Sequence, residues 1–205
     1  MLPNQYNFQM AINDFQSARV KAGIQEVLAR ITGKSTQLLS YEEVAEKLKL
    51  RARTERGIQQ IPLDAIVGSV GRYTDFTRTF LPRSDKVQER WSRVKAAFME
   101  SGTGMPPIEV YKVGEAYFVV DGNHRVSIAR QEGSVSIEAR VIEFKTDTPL
   151  TSNVQPDDLI IKAEYVEFLD KTHIHEVHPN ADLSVTSCCQ YEKLMEQIHV
   201  CQYIL

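Results

Sequence analysis

A chain of 205 residues with 42% hydrophobic and 25% charged residues has a globular composition, which excludes a disordered tail protein and a collagen-like chain. The net charge of -3 averages over unlike segments: residues 1–57 hold 9 Lys and Arg against 6 Asp and Glu, residues 58–145 hold 12 against 11, and residues 146–205 hold 3 against 10. There is no 18-residue apolar run and no basic, apolar leader at the start. Cys188, Cys189 and Cys201 cannot make two pairs and lack CxxC spacing, so the expected setting is reducing and cytoplasmic, without a membrane partner.

Apolar residues recur at helical spacing from Phe8 to Ile31, first Ala11, Phe15, Ala18 and Ala22, then Ile24, Val27, Leu28 and Ile31, with Gly33 at the stop. Ser40 and Glu43 have capping-box spacing, and Val44, Ala45 and Leu48 give the short helix that follows an apolar side. The basic run at 47–56 reads as a solvated helix end or linker. Residues 61–69 mix β-branched residues with Pro and Gly and predict a short strand, followed by a long loop, 71–83, that interleaves Arg72, Arg78 and Arg83 with Tyr73, Phe76 and Phe80. Ser84 and Asp85 open a helix whose buried stripe is Val87, Trp91, Val94 and Phe98. Residues 108–113 and 116–120 predict a hairpin across Gly114-Glu115, then DGNHR (121–125), a helix from Val126 to about Glu132, and a strand at 136–144 that buries Ile137, Ala139 and Val141. Beyond it, Pro156, Asp157 and Asp158 suit a helix start, with Leu159, Ala163, Val166 and Leu169 as its apolar side. A last helix is expected from about Gln190 to Val200.

The most informative window is 118–133. A strand ends at Asp121, Gly122 permits a tight turn, and the next amides open a helix, where unpaired N–H groups favour an anion. Arg125 can offer a planar fork to phosphate oxygens, with Asn123 or His124 adding a donor. Alternatively, Asp121 or Asn123 caps the helix and Arg125 pairs with a surface carboxylate. His173, His175 and His178 suggest three converging imidazoles on an extended segment, but no fourth ligand stands near, and a surface loop of neutral histidines is the favoured reading, with no metal assigned.

The order helix 84–100, PPIEV strand, hairpin, DGNHR, helix, Gly, strand resembles the ParB/sulfiredoxin superfamily over about Ile58 to Phe144. The resemblance implies an α+β fold, a small mixed sheet with packed helices, for residues 58–145. The chain would then divide into an N-terminal helical extension (1–57), this domain and an acidic C-terminal helical extension (146–205). It further implies a nucleotide or phosphate site at Asp121, Gly122, Asn123, His124 and Arg125, with Lys86, Arg72 and Arg78 as additional contacts. The ligand class is a nucleotide (ATP, ADP or CTP), with Mg2+ as a candidate companion. Asn123 stands where sulfiredoxins carry their catalytic cysteine, so sulfinic-acid reduction is not expected. The leading expectation is a regulatory or binding protein for a small phosphate-bearing ligand. The alternatives are a small-metabolite phosphotransferase and, less favoured, a DNA-binding regulator or nuclease, since the acidic tail repels a phosphate backbone. Glu109 and Glu115 are hairpin residues to which no base role is assigned.

Overall fold

The computed structural model describes residues 5–33, 35–102, 104–146, 148, 150–178, 181 and 183–204, without the side chains of 201–204. Among these, seven α-helices and one six-stranded mixed sheet form an α+β fold. The first helix, α1 (Gln5–Thr32), buries Ala11, Phe15, Ala18 and Ala22; the three alanines are small enough to let α3 (Gln88–Ser101) pack close, and Phe15 lies edge-on to Trp91. The second apolar set expected on this helix is not buried: Ile24, Val27, Leu28 and Ile31 face outward, while Gln25 and Glu26 turn inward to bond Thr79 and Arg83.

The sheet order is β1 (Leu39–Ser40), β3 (Ile66–Ser69), β5 (Ala116–Asp121), β4 (Ile108–Val113), β6 (Ser136–Lys145) and β2 (Arg51–Pro62). The β4–β5 hairpin is antiparallel as its Gly114 turn predicts, and β6 runs parallel to β4. Residues 51–56 correct the sequence reading, for they are neither helix end nor linker but the first half of β2, a 12-residue edge strand paired antiparallel with β6, with irregularities around Ala52 and Arg56. The strand expected at 61–69 is divided between the end of β2 and β3 by a 3-10 turn at Leu63–Ala65. Because β2 runs through residues 57 and 58, the sheet is continuous across the boundary expected there. Ser40 caps α2 (Tyr41–Lys47) by accepting the Glu43 amide at 3.3 Å, while its own hydroxyl donates to Glu42 rather than to the box partner Glu43.

Successive strand residues point to opposite faces, so each face gathers its own core. One face packs Ile66, Ile108, Val110, Val119, Ile137, Ala139 and Val141 with Trp91, Val126 and Ile128 of the helices. The other packs Val67, Phe118 and Val113 with Val44 and Leu48 of α2, with Leu150 and Val154, and with Leu159 and Val166 of α5 (Asp158–Thr172). This second face is therefore covered by residues from both sides of the 58–145 segment. α7 (Gln190–Ile204) docks on α5 through Tyr191 against Phe168. The histidine segment is not extended: His173 is left-handed at the end of α5, and α6 (Ile174–Val177) follows. No described helix is long and apolar enough to cross a membrane.

Candidate functional site

The backbone between β5 and α4 (Asn123–Gln131) builds the site. Gly122 has φ 114° and ψ 18°, a conformation open to glycine, and a Cβ there would lie 2.5 Å from Ile108 Cγ2. The Gly122 carbonyl accepts from the Val126 amide at 2.9 Å, so the helix starts three residues earlier than its apolar spacing suggests and Asn123, His124 and Arg125 occupy its first turn. No side chain caps this N-terminus. A cavity of about 140 Å³ opens here between β3, β5, α3 and α4. Asp121, Gly122, Asn123, His124 and Arg125 border it together with Arg72 from the loop after β3 and Arg90 from α3, while Val70, Val94 and Val120 make its apolar wall.

Asn123 and His124 are 4% and 6% exposed, yet Asn123 Oδ1 and both His124 ring nitrogens have no hydrogen-bond partner. Buried polar groups are nearly always paired, and each unpaired one costs about 1–3 kcal/mol. The His124 ring stands edge-on to Phe76, 5.5 Å between centroids, so packing holds it in place. Burial, helped by the positive charges of Arg90 and Arg72 and opposed by Asp75 and Asp121, lowers its pKa from 6.5 to about 4, and the imidazole is neutral at pH 7. A neutral ring offers one N–H and one lone pair.

The expected contacts divide. Arg72 reaches the cavity, held at 3.2 Å by Asp75 and partly exposed. Arg125 is there too, but its donors are engaged within the protein: Nη1 donates to the carbonyls of Pro106 (2.9 Å) and Pro107 (2.6 Å), and Nη2 pairs with Asp121. It locks the turn to the start of β4 with the same donors that a phosphate fork would use. Arg78 lies elsewhere: its guanidinium donates to the carbonyls of Ser152 and Val154 and ties the loop to the segment before α5. Lys86 is exposed and does not border the cavity. It sits in a 3-10 turn, Asp85–Val87, whose tighter winding takes it off the face that Arg90 and Val94 share four residues apart. Arg90 was not singled out in the sequence; the i, i+4 pairing with Val94 was its only signal.

Phe76 and Phe80 of the arginine loop are fully buried, as packing residues. Among the described residues, no three His, Cys, Asp or Glu side chains are grouped to hold a metal ion; His173 and His175 lie 6.5 Å apart, ring centre to ring centre. No protein-family model, curated protein or solved structure matches the chain.

Proposed function

We propose that this protein binds a small phosphate-bearing ligand of the nucleotide class (ATP, ADP or CTP) at the N-terminus of α4, in a binding or regulatory role, and that it is kin to the ParB/sulfiredoxin superfamily. The observation that carries the reading is the pair Asn123 and His124, buried with unpaired polar atoms at the mouth of an uncapped helix start, under Arg72 and Arg90. Helix amides and two guanidinium groups suit anionic oxygens. The unpaired Asn123 carbonyl oxygen and the imidazole lone pair suit a hydroxyl donor beside them, as in a singly protonated phosphate or a phosphate next to a sugar hydroxyl. At about 140 Å³ the cavity is smaller than the several hundred that enclose a whole drug-sized ligand, so a phosphoryl group enters it and the remainder of a nucleotide lies across the open face.

The test is thermal shift with inorganic phosphate, ATP, ADP and CTP, with and without Mg2+, followed by calorimetry. A ligand at 100 times its dissociation constant adds about 2.7 kcal/mol of stability. Replacing Arg72 or Arg90 by Ala weakens binding about 10- to 100-fold, the worth of a charge-assisted hydrogen bond. If none of these compounds shifts the wild type, or if both variants bind as well as it does, the reading is wrong. Turnover of the nucleotide with a small alcohol would move the assignment to phosphotransferase.

A further inference from the structure

The outward face of α1 is organised, not merely apolar. Val20, Ile24, Val27 and Ile31 follow a 4-3-4 spacing, and the same alternation continues backward through Ser17, Asn13 and Met10. At 100° per residue these positions lie on the side opposite Ala11, Phe15, Ala18 and Ala22, the stripe that packs on α3. α1 therefore carries an apolar stripe on each of two opposite faces, the outward one apolar from Val20 to Ile31, and among the described residues only the inward one is covered. Val20, Ile24, Val27, Leu28 and Ile31 are 64%, 56%, 57%, 55% and 77% exposed. In this half of the helix the usual order is inverted, because Gln25 and Glu26 face the body of the protein and bond Thr79 and Arg83.

We infer that α1 pairs with α1 of a second copy of this chain, forming a two-fold, coiled-coil-like helix pair. Three observations select this occupant. A 3.5-residue repeat is matched by a helix with the same repeat, and each copy supplies one. No position of the seam from Met10 to Ile31 carries a charge, so two copies meet without burying an unpaired ion, and the contact is the self-complementary kind that a two-fold axis requires. The seam from Met10 to Ile31 is a strip about 33 Å long and about 10–12 Å wide, about 700 Å² over two copies, the size of a weak, reversible contact below the roughly 1,000 Å² of stable specific interfaces. The surface is separate from the α4 cavity, and the inference stands or falls independently of the proposed ligand.

Sedimentation equilibrium of the full chain from about 1 to 200 µM tests it, with Ile24→Lys/Ile31→Lys as the seam variant and Val135→Lys as a control, since Val135 is 84% exposed on another surface. All three substituted positions are exposed, and circular dichroism checks that the fold is kept. The expected result is a concentration-dependent dimer that the seam variant weakens at least 100-fold and the control leaves unchanged. A wild type that is monomeric at 200 µM would overturn the inference, which would leave the face to a different protein. A dimer that the seam variant does not weaken would overturn it as well, and so would equal weakening by the control, which marks non-specific association.

Discussion

Replacing His124 by Gln isolates the energetic consequence of holding an imidazole neutral inside the protein. In the folded state its pKa is lowered to about 4 by burial and by Arg90 and Arg72, while the unfolded chain titrates near the ordinary 6.5. Between these values the unfolded state binds a proton that the folded state does not, so falling pH favours unfolding. The contribution of the neutral ring is fully present above pH 6.5 and is lost progressively down to about pH 4. At about 1.4 kcal/mol per pH unit, wild type should lose about 3 kcal/mol over this window relative to the Gln variant, which has no proton to gain. Urea denaturation of both proteins at half-unit steps from pH 4 to 8 gives the difference curve directly. A bound phosphate beside the ring favours the imidazolium, so saturating ligand should shrink that difference. Parallel stability curves for the two proteins, or an NMR titration placing His124 near 6.5, would refute the reasoning.

Gly122→Ala should cost about 3–5 kcal/mol in denaturant titration, combining a backbone conformation closed to Ala with a 2.5 Å contact to the fully buried Ile108. Lys95, buried between Asp14 (3.5 Å) and Glu132, should respond asymmetrically. Lys95→Met leaves two half-exposed carboxylates in water and should cost about 1 kcal/mol or less. Glu132→Gln strands the buried ammonium on one partner and should cost about 2–3 kcal/mol; equal losses in the two variants would contradict this. Arg125→Ala should destabilise the protein by more than Arg72→Ala, because it frees the Pro106 and Pro107 carbonyls and the Asp121 carboxylate, and thermal melts without ligand give the order.

Elements that bury one face were legible in the sequence. The stripe through Trp91, the Gly114 hairpin and the Ile137–Val141 alternation each appear where their periods place them, since a core imposes its spacing on the residues that face it. β2 was not legible for the converse reason. Only Ile61 along its length is buried, and its partner is the β6 backbone, so Arg51–Gln60 carry no alternation and resemble a charged helix end. DGNHR predicts a turn into a helix, and there β5 does pass into α4, but the chemistry of Arg125 alone does not show that its donors are engaged within the protein. Its distance of four residues from Asp121 was the available sign that its charge would be spent locally. Likewise the helical spacing of Ile24, Val27, Leu28 and Ile31 does not say which of two apolar stripes the body of the protein covers.

The way the sheet ends bears on how the protein behaves when concentrated. At one margin β1 has only two residues, too short to template another chain. At the other, the long free margin of β2 is broken by left-handed residues at Ala52 and Gly57 and studded with Arg51, Arg53 and Arg56. Bulges and like charges on an open margin discourage a neighbouring sheet from adding to it. The two left-handed residues and the arginines of β2 therefore work against a second sheet adding to its twelve-residue margin.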